Sequence, residues 1–360
     1  MTAASDDARE IRAMLNESAT RLFADHIDAK LLAAARREGW SPELWRIVEN
    51  AQLPLIGIAE DAGGAGGSVS DWAAVLRLAG RYCAPIPLAE TGIAGWLLAS
   101  CGLPIPKGPL AFGPAHGEIV AAKKTGAQWK LGGKMTRVPW ARVAHRLVVL
   151  ANGPDGAMIA CVDPAQCKIT HGRNLADEPR DDVALDGVTV AAHLAASAGS
   201  IDHAALRLRG ALARALMMAG ALENALELSV RYAGERVQFG RKIGQFQAIQ
   251  QELARFAGEV AAAVAAALSA AGALERGENA RLAVASAKIR TAHAANEGAQ
   301  IAHQVHGAIG VTEEFSLHHA TRRLWSWREE FGNEAAWAIE LGQTIAAAGA
   351  DALWPTLTKG

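Results

Sequence analysis

The chain has 360 residues, a net charge of −1 at pH 7 and four cysteines, and this length can hold the cores of two or three domains. Its 36 basic and 37 acidic residues leave no excess of positive charge for nucleic-acid binding. The cysteines show neither a CxxC pair nor metal-type spacing, which is typical of reduced core residues in the cytoplasm. The acidic amino terminus lacks the pattern of a signal peptide, and no apolar run of membrane-spanning length is free of charges. We therefore expect a cytoplasmic protein that binds neither nucleic acid nor a membrane.

Residues 1–108 are predicted to be α-helical. Apolar side chains recur there at helical spacing, and Ser41 followed by Pro42 is typical of a helix start. A glycine-rich stretch at 63–67 interrupts the pattern. Because no strand precedes it and no lysine follows it, we interpret it as a connection between helices rather than as a dinucleotide or phosphate loop. Prolines at 104, 106 and 109 then mark a domain boundary.

Residues 109–198 show a different pattern, in which short apolar runs alternate with turn residues. Asn152-Gly153 and Asp155-Gly156 mark one tight connection. Asp186-Gly187, between the runs VAL and VTV, predicts a β-hairpin. The pattern as a whole predicts a small, mainly antiparallel β domain.

Residues 199–352 return to helical spacing. Ser200 is a suitable N-cap, with Asp202 in the first turn, where a negative charge favours the helix N-terminus. One apolar stripe follows a later long helix at Ile249, Leu253, Phe256, Val260, Val264 and Leu268. We expect such stripes to form the core between helices.

The segment 232–251, YAGERVQFGRKIGQFQAIQQ, lies between two of these helices. One helix is predicted to end at Gly240 and the next to begin near Phe246. Arg236 carries a planar guanidinium that is always charged and suits a phosphate group. From spacing alone, an exposed helix end with scattered basic residues is the simpler interpretation.

Four histidines and two glutamates lie close together between 303 and 319, and both residue types are ordinary zinc ligands. The histidines at 303 and 306 are three apart near a helix end, and the others follow a glycine-rich turn. We therefore predict no metal site. Asp202 and His203 have no neighbouring Ser or Cys nucleophile in a recognisable elbow, so a hydrolase is not predicted either.

Three segments together resemble the acyl-CoA dehydrogenase family. ERVQFGRKIGQFQAIQ at 235–250 is similar to the family pattern R-x-Q-F-G-x-x-I-x-x-F-Q-x-I-Q. QVHGAIG at 304–310 resembles Q-x-H/F-G-G-x-G, and EDAGGAGGSVSD at 60–71 resembles the amino-terminal P-x-x-x-G-G-x-G. The segments occur in the family's order, and the resemblance covers almost the whole chain.

The resemblance implies a mainly α fold with an inserted β domain. Its parts are an N-terminal helical domain (1–108), a middle antiparallel β barrel (109–198), a C-terminal four-helix bundle (199–352) and a tail (353–360). It also implies the α,β-desaturation of an acyl-CoA thioester. In that reaction a carboxylate takes the α proton and FAD takes the β hydride.

The resemblance leaves the position of the catalytic base without a carboxylate. Counting without gaps from the matched glycine at 307 places the family's glutamate at Phe331, and the position used by some other relatives falls at or beside Gly210. Glu330 and Glu329 precede Phe331, but adjacent helical residues point about 100° apart. We therefore keep both glutamates as secondary candidates and favour a solvated acidic pair near Arg328.

The aromatic residues Trp325, Trp327 and Phe331 lie close together in the same region. We expect them to fill the space that forms a substrate cavity in catalytic relatives. Plain core packing between helices is the competing interpretation.

The resemblance supplies half of a flavin site. The matching residues reach a partner's FAD across a dimer interface in the family, and they are Arg236, Gln238, Phe239, Gln304 and Gly307. The other half, a T-E-P-x-x-G-S-D stretch that meets the flavin ring, is replaced by PLAFGPAHGEI. One half of the site is therefore kept and the other half is missing.

This asymmetry predicts the shorter, non-catalytic subunit of a bacterial heteromeric acyl-CoA dehydrogenase, of the kind that degrades steroid side chains and related bulky acyl-CoA esters. A longer catalytic subunit in an α2β2 heterotetramer would supply the base, the flavin-ring contacts and the acyl pocket, with FAD shared across the interface. By resemblance, the acceptor is an electron-transfer flavoprotein. Two alternatives remain: a self-sufficient homo-oligomeric dehydrogenase that uses Glu330 or Glu329, and a structural scaffold without flavin.

Overall fold

A computed structural model describes residues 3–278 and 280–358, which form two compact units. The helical unit comprises Met1–Ala29, Ala73–Ala84 and Ala211–Gly360. The mixed unit comprises Lys30–Trp72 and Pro85–Gly210. The division predicted at 108, 198 and 352 stays a prediction.

Helices form the regions where the sequence predicts them, before residue 108 and after residue 199. Their bounds are α1 (Ala3–His26), α2 (Ala29–Glu38), α3 (Pro42–Asn50), α4 (Val69–Arg81), α5 (Leu88–Ser100), α6 (His203–Glu235), α7 (Gln247–Glu275), α8 (Ala280–His306), α9 (Leu317–Glu329), α10 (Glu334–Ala348) and α11 (Leu353–Thr358). The mainly α fold with an inserted β region is therefore confirmed.

Two helix starts can be compared with the N-cap residues predicted from the sequence. Ser41 caps α3 as expected, because its Oγ accepts a hydrogen bond from the Leu44 N–H at 3.3 Å. The predicted cap of α6 is wrong. Asp202 Oδ1, rather than Ser200, accepts from the Ala205 N–H at 2.8 Å, since α6 begins only at His203.

The strands β1 to β10 lie in the mixed unit and follow one another within residues 110–197. Their bounds are β1 (Leu110–Gly113), β2 (Ala121–Thr125), β3 (Gln128–Gly132), β4 (Lys134–Pro139), β5 (Arg146–Gly153), β6 (Gly156–Val162), β7 (Lys168–Thr170), β8 (Arg180–Ala184), β9 (Thr189–Ala191) and β10 (Ala195–Ser197). One sheet has the order β10-β6-β5-β2-β3-β9 with β1 paired to β5, and a three-stranded sheet has the order β4-β8-β7. Most pairs are antiparallel, but β1 and β2 pair with β5 in parallel.

The hairpin predicted at Asp186-Gly187 is wrong in its pairing. The turn itself forms, because the Val188 N–H donates to the Leu185 carbonyl at 3.0 Å. However, β8 pairs with β4 and β7, whereas β9 pairs with β3. The turn therefore carries the chain from one sheet to the other. The connection near Asp155-Gly156 does join a paired hairpin, β5 with β6.

In the helical unit, α4 and α6 cross with their backbones in contact. A Cβ added to Gly80 would lie 2.1 Å from a carbonyl oxygen of α6, and one added to Gly220 would lie 1.8 Å from a carbonyl oxygen of α4. Beside the crossing, Arg77 pairs with Glu223 at 2.6 Å. Only glycine allows this approach, so both positions are constrained by space rather than by helix propensity.

The apolar stripe predicted on α7 is correct at its centre and wrong at its end. Phe256 and Val260 are buried, but Leu268 is 41% exposed. The buried line continues instead through Ala263 and Ala267. Because α7 packs closely on α8, small residues lie at the contact and the larger leucine does not.

From Ala257 to Leu268 the exposed side of α7 is also apolar. Within residues 3–278 and 280–358, α7 is the one helix long and apolar enough to cross a membrane by length and composition, and a third of its most apolar stretch is buried. A core helix of a soluble protein meets the same criterion, so this is weak support for a membrane span.

Candidate functional site

The two C-terminal motif segments lie side by side in the helical unit. Tyr232, in the last turn of α6, stacks on His306 at the end of α8, with ring centroids 4.6 Å apart. Phe315 packs against both rings. This aromatic cluster brings the segment around Arg236 and the segment 304–307 to the same end of the unit.

The segment after α6 is a projecting hairpin rather than a simple helix end. The helix ends at Glu235, five residues before the predicted end, and β11 (Val237–Gln238) then pairs with β12 (Arg241–Lys242). Phe239 and Gly240 form the turn with φ of 53° and 77°, the left-handed values that a two-residue hairpin turn requires. The Phe239 ring is 92% exposed.

The main chain of Arg236 is fixed while its side chain is exposed. Its N–H donates to the Tyr232 carbonyl and its carbonyl accepts from the Ile243 N–H, both at 2.8 Å. Over the part of the chain that the structure describes, the guanidinium makes no ion pair. Gln238 and Gln304 are exposed as well. A guanidinium and two amides at one end of the unit are a donor set that fits a diphosphate and a nucleoside, so these residues fit the polar half of FAD.

Gly307 ends α8 with a φ of 62°. Nothing lies within 4 Å of a Cβ built there, so the backbone turn is what favours glycine at this position. The turn leaves the neighbouring Gln304 at the exposed end of the helix.

The segment that replaces the family's flavin-ring loop, residues 109–119, contains β1 and lies in the mixed unit. It contains no Ser or Thr between residues 109 and 119. Its Glu118 carboxylate accepts the main-chain N–H groups of Thr136 and His116 at 2.8 and 3.0 Å. Burial raises the pKa of Glu118, but the hydrogen bonds from Thr136 and His116 outweigh it and leave the pKa below its ordinary value. The segment lacks the hydroxyl groups that meet the flavin ring in the family, and it does not fit that half of the cofactor.

At the matching base position, Phe331 is buried, with 3% of its surface exposed. It lies in the turn between α9 and α10 with a φ of 56°, and Gly332 follows with 92°. The Phe331 carbonyl accepts the indole N–H of Trp337 at 3.0 Å. A phenyl ring in this position offers no group that can accept a proton.

The two glutamates beside Phe331 have different surroundings. Glu330 Oε2 lies 2.6 Å from Nε of the buried Arg214. Glu329 is exposed and accepts a hydrogen bond from Asn333 at 3.2 Å. The expected solvated pair is therefore correct for Glu329 and wrong for Glu330. An adjacent guanidinium favours the ionised carboxylate and makes it a poor proton acceptor.

A buried lysine completes this cluster. Lys288 Nζ donates to the carbonyls of Arg328 at 2.6 Å and Trp327 at 3.3 Å, at the end of α9. Burial, the largest cause, lowers the pKa of Lys288 to about 7, against the raising effect of Glu330. Sequence reasoning missed both Arg214 and Lys288, because each lies in an ordinary helical pattern that says nothing about which charge it meets.

At the second base position, Gly210 is buried in the mixed unit. Its neighbour Arg209 stacks over the Trp96 ring at 3.8 Å, and burial lowers the pKa of this guanidinium to about 10. Arg209 therefore stays charged at neutral pH and cannot act as a base.

The histidine cluster is held by stacking and hydrogen bonds. His303 Nε2 lies 3.0 Å from Thr321 Oγ1, and its ring stacks on Trp325 with centroids 5.6 Å apart. Burial lowers the pKa of both His303 and His306. Among the described residues, no three His, Cys, Asp or Glu side chains are grouped as metal ligands.

Trp325 is partly exposed, so of the three aromatic residues expected to fill a cavity only Trp327 and Phe331 are buried.

Two family models match the chain on either side of the strands. Residues 9–105 match the acyl-CoA dehydrogenase N-terminal domain, and residues 208–338 match the acyl-CoA dehydrogenase C-terminal domain. With this fold, the chain belongs to the acyl-CoA dehydrogenase family, which consists of flavin-dependent oxidoreductases.

The similar proteins include several from mycobacteria. Acyl-CoA dehydrogenase IpdE2 of Mycobacterium tuberculosis is 30% identical over 312 residues, covering 86% of this chain and 89% of its own. Acyl-CoA dehydrogenase FadE27 of the same organism is 29% identical over 313 residues, covering 77% and 80%.

Solved structures agree with this placement. A Tcur3481-Tcur3483 steroid ACAD variant has a TM-score of 0.84 at 26% identity, covering 95% of this chain and 99% of its own. The ChsE4-ChsE5 complex from Mycobacterium tuberculosis has a TM-score of 0.86 at 24% identity, covering 97% and 99%.

Proposed function

We propose that the chain is the non-catalytic subunit of a heteromeric, FAD-dependent acyl-CoA dehydrogenase and that it completes the FAD site of a longer catalytic subunit. The observation that carries the proposal is the base position, where Phe331 is buried and the neighbouring Glu330 is paired with Arg214 at 2.6 Å. The names of two similar structures, the Tcur3481-Tcur3483 steroid ACAD and the ChsE4-ChsE5 complex, describe two-component assemblies and support the same interpretation.

The reaction needs a group that is missing from both base positions among the described residues. A carboxylate has to take the α proton of the acyl group from within hydrogen-bond reach. Phe331 has no basic atom, and the Glu330 carboxylate is held by a buried guanidinium. FAD, when bound, supplies the hydride acceptor for the β carbon. The base, the flavin-ring contacts and the acyl pocket therefore come from the partner.

This chain contributes the polar end of the cofactor site. Arg236 pairs with the diphosphate, Gln238 and Gln304 donate to the nucleoside end, Phe239 packs against the partner's cofactor, and Gly307 turns the chain beside it. The assembly is an α2β2 heterotetramer in the cytoplasm, its substrate is a bulky, steroid-type acyl-CoA, and its acceptor is an electron-transfer flavoprotein.

The visible absorption spectrum tests this division of roles. The chain purified alone is expected to be colourless, and the same chain co-expressed with a longer acyl-CoA dehydrogenase from the same locus is expected to be yellow and active. A yellow chain that an acyl-CoA bleaches without a partner would establish self-sufficiency, with Glu330 or Glu329 as the base. A stable complex that stays colourless would establish a scaffold without flavin.

A further inference from the structure

The mixed unit contains a cavity of about 400 Å³. It lies between α3, the glycine-rich stretch at 63–67 and the proline-rich segment at 104–109. Its volume falls within the range of roughly 300–1,000 Å³ that is usual for small-molecule sites.

The lining of the cavity divides into apolar and polar groups, and one of the polar groups is the buried Thr91, whose Oγ1 accepts the Leu110 N–H at 3.0 Å. Pro54, Leu55, Ile105 and Pro106 provide apolar surface. The exposed side chains Asn50, Gln52 and Lys107 also line it. A ligand with an apolar body and a polar group matches this division.

Trp45 forms part of the wall and is 4% exposed. Its indole N–H is buried and has no hydrogen-bond partner among the residues that the structure describes. An indole nitrogen can only donate, and a buried donor without an acceptor destabilises the folded state. A small rotation of the ring that turns the N–H into the cavity allows a ligand oxygen to supply the missing acceptor.

The charges in the lining favour a neutral ligand. Glu49 and Lys107 contribute one negative and one positive charge. Glu49 Oε1 accepts the Gly108 N–H at 2.6 Å, which holds the carboxylate against the proline-rich segment. With one charge of each sign beside the cavity, neither an anion nor a cation is favoured by net attraction.

We propose that this cavity binds a small neutral molecule with a carbonyl oxygen and an apolar body. The carbonyl accepts the Trp45 N–H, and the body lies against Leu55, Ile105 and Pro106. The site is a property of the mixed unit, so it stands whether or not the chain has a catalytic partner.

Three probes of similar size separate the features of this ligand. Caprolactam is neutral and has a carbonyl, hexanoate has carboxylate oxygens and a negative charge, and cycloheptane is a neutral seven-membered ring without a carbonyl. Saturation-transfer NMR on the full chain, in the complex in which it purifies, measures the binding of each. We expect saturable binding of caprolactam and none of the other two.

Two variants of one residue type provide the matched comparison. Trp45→Phe keeps an aromatic ring and removes the N–H, and it is expected to weaken caprolactam binding by about fivefold, the loss of one hydrogen bond. Trp72→Phe is the control. The Trp72 N–H is also buried without a partner among the described residues, but it lies over Gly92 and does not line the cavity. Its removal is expected to leave the affinity unchanged.

Specific binding results would contradict the proposed neutral ligand. If caprolactam fails to saturate, or binds Trp45→Phe as tightly as the unaltered protein, the proposal is wrong. If hexanoate binds and Lys107→Met abolishes that binding, the site takes an anion and the neutral ligand is excluded. Thermal melting of both tryptophan variants checks that each is folded before binding is compared.

Discussion

At the scale of single residues, the pairing of Glu330 with Arg214 separates two roles that a carboxylate can have at this position. A catalytic base has to be free to take a proton, whereas Glu330 neutralises a guanidinium that is almost wholly buried. Glu329, its neighbour, is exposed, accepts a hydrogen bond from Asn333 at 3.2 Å and lies 3.9 Å from Arg328. The two side chains therefore form a natural pair of variants.

Glu330→Gln is expected to destabilise the chain by about 3 kcal/mol, because it removes the negative charge that lies 2.6 Å from Nε of the buried Arg214. Glu329→Gln should change the free energy of unfolding by less than about 0.5 kcal/mol. Urea denaturation measures both. In the assembled enzyme, neither change should lower turnover at a temperature where the variant is folded. A variant Glu330→Gln with full stability and no activity would identify Glu330 as the base.

Arg236→Ala is expected to lower the FAD content of the assembled enzyme while leaving its melting temperature without FAD unchanged, since the exposed guanidinium makes no ion pair among the described residues. The control is Arg231→Ala, one turn earlier on α6, where an exposed arginine pairs with Glu227 at 3.1 Å. Flavin absorbance per complex is the measurement. Equal flavin content in the two variants would remove Arg236 from the cofactor site.

The lowered pKa of Lys288 should make the free energy of unfolding depend on pH, and its direction fixes the sign of that dependence. Its pKa in the folded state is lowered from 10.5 to about 7, so between these values the unfolded chain binds the extra proton and raising the pH stabilises the fold. Relative to Lys288→Met, the unaltered chain should gain about 1.4 kcal/mol per pH unit across this window. Unfolding measured at several pH values tests this, with Lys123→Met, on the exposed strand β2, as the control. Parallel curves for Lys288→Met and the unaltered chain would show that Lys288 is charged when folded.

At the scale of elements, the crossing of α4 and α6 depends on two glycines that a propensity argument would count as weaknesses. Each removes a side chain at the point where the other helix presents a carbonyl oxygen. The nearby pair of Arg77 and Glu223 then reaches across the same crossing. Close approach and ion pairing are therefore linked in one contact.

Gly220→Ala is expected to cost about 3 kcal/mol, because its Cβ would lie 1.8 Å from a backbone oxygen and the helices would have to separate. The control lies on the same helix: nothing is within 4 Å of a Cβ built on Gly234. Gly234→Ala should stabilise the chain by roughly 0.5–1 kcal/mol through helix propensity. Urea denaturation of both variants measures the change in the free energy of unfolding. Destabilisation of similar size at Gly220 and Gly234 would contradict the crossing geometry.

Capping and turn residues predict a helix or strand well when the interactions that form it lie within a few residues of them. Ser41 and Pro42 mark the start of α3 correctly, because a cap and a first-turn proline act within one turn. The turn at Asp186-Gly187 also forms, but its dipeptide cannot specify that the following strand joins another sheet. The same limit explains the site. Spacing located Phe331, whereas the pairing of Glu330 joins residues 116 positions apart and left no pattern in the sequence.

At the scale of the whole molecule, the exposed side of α7 is where we expect the catalytic subunit or a second copy of the chain to pack. Ala261 and Ala265 are exposed on this long apolar helix. An exposed apolar surface of this kind usually marks an interface. The proposed heterotetramer supplies the partner for it.

Ala265→Arg is expected to prevent assembly, because it places a long charged side chain on that apolar surface. Ala127→Arg, at the exposed turn between β2 and β3, should leave assembly intact. Light scattering of the co-expressed proteins measures the mass of each complex. A full-sized complex from the Ala265→Arg variant would show that this side of α7 is not an interface.

The helical unit is built from three separated stretches of chain, and this determines the order in which it can be completed during synthesis. Its first stretch ends at Ala29, but the longest stretch begins only at Ala211, after the mixed unit is finished at Gly210. At translation rates of about 5–20 residues per second, the residues between Ala29 and Ala211 take roughly ten to forty seconds to synthesise. Phe23, fully buried in the finished fold, stacks on Tyr82 of the second stretch, so part of its burial can form before the longest stretch is made. We therefore expect the stretch that carries α1 to bind a chaperone before the stretch that begins at Ala211 is made.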